Sequence, residues 1–352
     1  MARRKLNKKG KLFFCLLFII FICIIMCIII NNNDNNTLKE KEKTEEIKKE
    51  PIVEKKLEII DLNSNTRPYA VMINNIYKVW GYQSGLQDAY LIYEIIVEGG
   101  YTRLMALFKD KNLDRIGSVR SARHYFLDYA LENDAIYVHF GWSPQAQNDI
   151  KVLGINNISF MSYNGYTRDY SLGLATEHTA FTTTSKIMNG ASYYKYRTTT
   201  EETPVLNYNV ESINIENMDG ATPANKVDII YSASRSTQFE YDSINKVYKR
   251  FQNNEIHKDY VTGKQYTAKN IIIYQVTSYT IPGDYAGRQT LENIGSGEGF
   301  YITEGYAVPI TWEKTSRKSK TVYKFLDGTE IKVNDGNTYI QIQPKGQNII
   351  IE

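Results

Sequence analysis

Two arginines bracket Ser121 and Ala122 in the stretch Val119-Arg120-Ser121-Ala122-Arg123. Guanidinium groups bind phosphate and carboxylate through paired N–H donors. With Ser121 as the N-cap of the helix patterned after it, first-turn N–H groups and the positive end of the helix dipole lie beside both side chains. The expected chemistry is anion binding, with Arg103 and Arg115 close enough in sequence to join. The competing use is structural, the same arginines bridging to Glu94, Glu98 and Asp128. Glu94 and Glu98 are four residues apart and share a face if that segment is helical. Such a pair suits acid–base work, a divalent cation or arginine partners. Gly99-Gly100 after them allows close backbone approach to a ligand or a helix C-cap.

His139 is followed by Gly141 and Ser143, and His178 lies in Glu177-His178-Thr179. A Ser–His pair is the start of a nucleophile and its base. No G-x-S-x-G pattern surrounds Ser143 and no third member can be assigned, so no catalytic residue is named. The candidate ligand-binding set is Arg103, Arg120, Ser121, Arg123, Glu94, Glu98, His139 and His178. The four His, scattered and without Cys, give no zinc-type spacing, so neither metal nor cofactor is expected. His257 and Asp259 precede a Thr262-Gly263 turn, where a local hydrogen bond is the expected use. The 28 Tyr could suit glycan surfaces, although aromatic residues in strands ordinarily serve the core and cross-strand pairs.

The elements that must position these residues fall into two groups. Over residues 58–222, strand-like and helix-like patterns alternate. Tyr69–Ile73, Arg103–Phe108 and Ile136–Phe140 read as strands. Ala122, Phe126, Tyr129 and Ala130 recur at helical spacing, and Ser143-Pro144 opens a further helix. This alternation predicts an α/β domain. Over residues 223–352, β-branched and aromatic runs follow one another: Val227–Tyr231, Thr237–Tyr241, Val247–Phe251, Ile271–Val276, Tyr306–Trp312, Thr321–Phe325 and Thr338–Gln343. Turn signals such as Asp327-Gly328 and Asp335-Gly336 separate them, which predicts an all-β domain. No self-similarity marks a repeat architecture.

Ahead of both, residues 12–30 form an unbroken apolar run without charge, Gly or Pro. About 20 such residues span a hydrocarbon core of about 30 Å, so the run is expected to be one transmembrane helix. Residues 1–11 carry six Lys and Arg, which places them in the cytoplasm and everything after the helix outside. A cleaved signal would have a shorter apolar region and a small-residue cleavage site. Residues 31–57 are Asn-rich and then of mixed charge, and are expected to be a solvated spacer, with a helix held by Glu–Lys pairs as the alternative. All three Cys lie inside the apolar run, so the folded part has neither disulfides nor thiol chemistry. The chain carries +3 overall, and six positive charges precede the run, leaving −3 on the rest. That balance excludes nucleic acid as the main partner.

The stretches RPYAVMINN, SGLQDAYLIYEIIVEGGYTRLMALF, IGSVRSARHYFLDYA and DAIYVHFGWSPQA resemble the bacterial YerB-like family of unknown function, the DUF3048 family. HKDYVTGKQYTAKNIII, GSGEGFYITEGYAVPITWEK and FLDGTEIKVNDGNTYIQI are similar to its C-terminal domain. The resemblance covers nearly all the chain after the spacer. It implies a two-domain, membrane-attached, extracytoplasmic protein and names no reaction. Many members look like lipoproteins. This chain departs from them, because Cys15, Cys23 and Cys27 follow Phe14, Ile22 and Met26 rather than the small residue that lipidation signals carry. The expected function is binding of an anionic envelope ligand or envelope protein partner at the membrane surface. An enzyme acting on phosphate-containing envelope polymers or lipid-linked precursors is the second reading, and a structural scaffold the third.

Overall fold

The structure is a computed structural model that describes residues 8–43 and 56–352. Residues 1–7 of the basic segment and 44–55 of the expected spacer lie outside the described residues. The chain divides into two compact units, one up to Lys55 and one from Lys56 to Glu352.

In the first unit, helix α1 runs Lys8–Lys43. Its window Cys15–Asn32 has a mean hydropathy of 2.9 and none of it is buried. The apolar side chains point outward on every side, a pattern that suits a lipid environment and not a soluble helix with one apolar stripe. The helix continues through residues 31–43, where the leading expectation was a solvated spacer. Once a helix is nucleated, each further residue adds a hydrogen bond without a new nucleation cost.

The second unit is built on an eleven-stranded sheet. Its strands are β1 (Tyr69–Asn75), β2 (Leu91–Ile96), β3 (Thr102–Phe108), β4 (Ile136–His139) and β5 (Asn157–Ser159) from the first half of the unit. The second half supplies two groups. Strands β6 (Lys226–Ser232), β7 (Arg235–Asp242) and β8 (Val247–Gln252) form the centre of a separate six-stranded sheet. Strands β9 (Asn270–Val276), β10 (Gly295–Thr303), β11 (Tyr306–Lys314) and β12 (Thr338–Pro344) enter the large sheet. Its order is β11-β10-β9-β12-β2-β3-β1-β4-β5, with the two-residue strand Thr222–Pro223 beyond β11 and Val322–Phe325 also paired to β11.

Residues 58–222 hold strands and helices, and 223–352 hold strands without α-helix among the described residues. The sheet nevertheless runs across the 222/223 division. Strand β2 pairs in parallel with β12, Leu91 opposite Thr338 through Ile95 opposite Ile342. Ion pairs join the same halves: Lys314 Nζ lies 2.7 Å from Glu132 with both side chains fully buried, and Arg317 binds Asp128 at 2.6 Å. The two stretches therefore share a core.

Helix α2 (His124–Glu132) and α3 (Pro144–Val152) flank the sheet. Ser143 caps α3, accepting from the Ala146 N–H at 3.1 Å, and Pro144 occupies the first turn where no donor is lost. Half of the 28 tyrosines are core residues. Tyr93, Tyr129, Tyr137, Tyr231, Tyr274, Tyr301 and Tyr339 are fully buried. Their hydroxyls tie layers together, as where Tyr93 donates to Glu132 at 2.6 Å and Tyr231, on the smaller sheet, donates to the Glu94 carbonyl at 3.1 Å.

Candidate functional site

Residues 118–122 are pinned as extended backbone beside β1 and the end of β4. The Asn74 N–H donates to the Ser118 carbonyl, Arg120 N–H to Met72, and Phe140 N–H to Arg120. That pinning delays the helix. The N-cap of α2 is Arg123, no side chain caps it, and the expected cap Ser121 lies two residues upstream. The Ser121 hydroxyl instead donates to the Phe140 carbonyl at 3.0 Å. The start of α2 has no side-chain cap, and its N-cap residue Arg123 is itself a member of the cluster.

Arg103, Arg120 and Arg123 come together here. Arg103 projects from β3, buried, and donates to the Ser121 carbonyl at 2.6 Å. Arg123 Nε donates to Glu98 at 2.5 Å, and Arg103 reaches the same carboxylate at 4.0 Å. Glu98 opens a single 3-10 turn, Glu98–Gly100, that leads from β2 to β3. Gly100 has φ +74°, and a Cβ there would meet the Ser232 hydroxyl at 2.8 Å, so glycine is required twice over. The Ser232 hydroxyl donates to the Gly100 carbonyl, so the β6–β7 turn holds the Glu98 turn in place. Arg120 is bound most lightly, with one contact of 3.4 Å to the Glu177 carbonyl.

Burial, then the neighbouring Arg123 charge, pulls the Arg103 guanidinium down to about 9, with Glu98 partly offsetting. Burial also lowers Arg120, against the pull of Glu177. For Glu98, burial pushes the carboxyl up, but the Arg123 hydrogen bond and the Arg123 and Arg103 charges outweigh it and hold it below its ordinary range. Three cations thus meet one engaged carboxylate, Glu98, and one exposed acid, Glu177. The site carries excess positive charge with partial access to water.

Glu94 is elsewhere. It lies on strand β2, not on a helix, so it does not share a face with Glu98. It is fully buried and binds Arg250 at 2.7 Å and Arg235 at 3.0 Å. Asp128 pairs with Arg317, and Arg115 pairs with Asp169 at 2.9 Å while stacking on Phe181, so neither joins the cluster. His139 is buried, its ring nitrogens 2.8 Å from the Gly141 carbonyl and 3.0 Å from the Asn157 side chain. Ser143 is spent as a cap, and no Ser–His pair forms. His178 accepts from Asn74 at 3.0 Å, and burial followed by the Arg120 charge keeps its pKa low, so its ring stands as a neutral neighbour of the cluster. Asp259 accepts from the Val261 and Thr262 N–H groups at 2.9 Å, the local turn bond expected of it.

Residue order alone did not point to Arg168, Phe140 and Tyr166. The Arg168 guanidinium lies over the Phe140 ring at 4.8 Å and the Tyr166 ring at 5.3 Å. It donates to the Thr176 carbonyl, on the same turn that Arg120 touches. A cleft of about 980 Å³ opens elsewhere, around Arg67, Asp134, Arg197 and Lys320. There Arg67 and Arg197 share Asp134 at 3.3 and 2.8 Å, as Arg103 and Arg123 share Glu98, and Lys320 pairs with Glu202 at 3.1 Å. The arginine cluster differs by a third guanidinium, Arg120, that has no ion pair among the described residues and one contact of 3.4 Å.

Comparison with known proteins fits this architecture. A Bacillus subtilis (strain 168) protein named "Putative lipoprotein YerB" is 29% identical over 287 residues, covering 79% of this chain and 81% of its own. The crystal structure of the YerB protein from Bacillus subtilis superposes with a TM-score of 0.69 at 26% identity, over 81% of this chain and 94% of that one. Residues 57–197 match the N-terminal domain and residues 227–340 the C-terminal domain of the family described as protein of unknown function (DUF3048). With both halves matched in order, the chain belongs to the YerB-like DUF3048 family.

Proposed function

We propose that this chain is a membrane-anchored protein of the cell envelope that binds an anionic ligand through Arg103, Arg120 and Arg123. The observation that carries the reading is the state of Arg120, whose single 3.4 Å contact leaves guanidinium donors unused beside two further arginines that share one carboxylate. An incoming phosphate or carboxylate would meet those donors together with the uncapped N-terminus of α2. The decisive measurement is titration of the full chain, in detergent micelles, with inorganic phosphate. Saturable binding is expected, and Arg120→Ala weakens it about tenfold or more, since a charge-assisted contact contributes about 1.5–3 kcal/mol. No saturable binding in the wild type, or unfolding of the variant, means that the cluster is structural.

The placement of this site follows from the N-terminal segment. The apolar helix and the six preceding positive charges support an anchor with residues 58–352 on the outer side. The lipoprotein name of the relative supports the same side of the membrane with a different attachment. Protease added to wall-stripped cells is expected to digest the folded body. Full protection would place it inside.

A further inference from the structure

We infer that the ligand of the arginine cluster is an anionic glycan, a sugar chain bearing carboxylate or phosphate, whose rings lie along an aromatic strip that begins at the cluster. The inference rests on the anion-binding reading above. Phe140 is the first ring of the strip and is locked to the cluster by backbone, its N–H on the Arg120 carbonyl at 3.0 Å and its carbonyl under the Ser121 hydroxyl. Tyr166 follows at 4.7 Å from Phe140, with Arg168 over both. Gly165 then brings two rings close: a Cβ there would stand 2.8 Å from Tyr163 and 3.0 Å from Phe160. Beyond it Tyr163, Tyr193, Tyr194 and Tyr196 continue with centroid spacings of 5.0–5.9 Å. Those are the spacings of aromatic rings in mutual contact, so the four form one continuous aromatic surface.

The composition of the strip selects the occupant. Five of its rings are tyrosines (Tyr163, Tyr166, Tyr193, Tyr194 and Tyr196) that are exposed or half-buried, with Tyr193 68% exposed. A tyrosine offers an apolar ring face to the C–H face of a sugar and a hydroxyl to the sugar's own hydroxyls. Arg168 and Arg120 reach the same Thr176–His178 turn, so positive charge gathers at one end of the strip. A polymer that is at once ring-built and acidic complements both parts. A neutral apolar partner would leave the arginines unanswered, and a simple anion would leave the rings exposed.

The test uses the full chain in detergent micelles and four probes: inorganic phosphate, a neutral hexamer of N-acetylglucosamine, carboxylate-bearing glycan strands released from bacterial wall by amidase, and a phosphomannan. At least one acidic glycan is expected to bind more tightly than the neutral hexamer, and the tighter of the two names the charge. The double variant Tyr193→Ala with Tyr194→Ala is expected to lose about tenfold in affinity for that glycan, two ring contacts at the usual aromatic value, while binding phosphate as the wild type does. The Tyr193→Phe, Tyr194→Phe pair keeps the ring faces and retains most of the affinity, which guards against loss by misfolding. Phosphate binding with no glycan binding, or glycan affinity untouched in the Ala variant, overturns the glycan inference and leaves the anion reading standing. Loss of phosphate binding in the wild type removes both. Dimerisation of the chain abolished by the Ala variant assigns the strip to a second copy and overturns the inference.

Discussion

Glu94 and Glu98 stand four residues apart, and each faces two arginines, yet they differ in almost every physical respect. Glu94 accepts from Arg250 and Arg235, and also from the hydroxyls of Thr102 at 2.6 Å and Thr237 at 3.0 Å and from the Asn75 amide at 3.1 Å. Nothing in that group touches water. The Arg235 plane lies over Trp80 at 4.7 Å and Arg250 over Tyr339 at 5.3 Å, which covers the guanidinium faces while Arg235 Nη1 and Arg250 Nε find no hydrogen-bond partner. Arg250 also donates to His257, and burial with the Arg250 and Arg235 charges keeps that ring well below its ordinary pKa, a neutral acceptor that passes a hydrogen bond to Gln83. Glu98 has two ion-pair partners among the described residues, one of them at 4.0 Å, and its side chain keeps 20% of its exposure. The contrast separates two uses of one ion-pair chemistry. A carboxylate enclosed by five donors seals a joint between segments, whereas a carboxylate with few partners at the surface leaves guanidinium donors unused, which is what the proposed anion site requires.

The comparison is broken most severely at Glu94. Replacing it by Gln leaves two buried guanidiniums without a counter-charge, and breaking a buried pair costs about 3–5 kcal/mol. Chemical denaturation should show that loss for Glu94→Gln, with phosphate affinity unchanged in the fraction that folds. Acid tests the same carboxylate without mutation. Burial pushes Glu94 up, but the Arg250 and Arg235 charges hold it at about 2 against an ordinary 4.5. A depressed carboxylate stabilises the fold above the unfolded value and loses that contribution as pH falls from about 4.5 toward 2. The difference corresponds to about 3 kcal/mol, and Glu94→Gln should flatten the acid limb of the stability profile in that window. An unchanged limb would mean that other carboxylates dominate acid unfolding.

Much of this architecture was legible from residue patterns, for reasons that also explain the gaps. β1, β3, β4, β6 to β9, β11 and β12 announce themselves by β-branched and aromatic runs, and α3 by its Ser-Pro start. Strand β2 did not. Leu91–Ile96 is buried on both faces between β3 and β12, so it shows no alternation, and a Glu inside an apolar run matched a helical pair with Glu98. Its true partners lie 141 and 156 residues away, beyond the reach of any local pattern. Strand β10 was hidden by its glycines, which look like loop. A Cβ at Gly299 would fall 2.3 Å from the Ile273 carbonyl, so the glycine is there because the neighbouring strand runs so close. The arginine cluster was visible as a motif. Its helix cap was misplaced by two residues, because the backbone bonds of Arg120 to Met72 and Phe140 are tertiary and have no sequence signature.

The smallest effect sharpens the comparison from the other side. Glu98 occupies Arg123, and in part Arg103, so in the free protein it plays the role that a ligand anion would take. Glu98→Gln keeps the shape and most of the hydrogen-bonding reach of the side chain but removes the competing charge. Because the pair is partly exposed, its stabilising value belongs near the upper end for surface bridges, and the variant should lose about 1 kcal/mol or less of stability. The three guanidiniums would then face a ligand without an internal rival, and phosphate affinity is expected to rise about fivefold, the same order of energy returned to binding. The sign of this change distinguishes the two possible roles of Glu98. A rise means that Glu98 holds the arginines in reserve and yields them to the ligand. A fall in affinity with unchanged stability would mean that Glu98 orients Arg123 for binding, and the view of Glu98 as a stand-in anion would have to be given up.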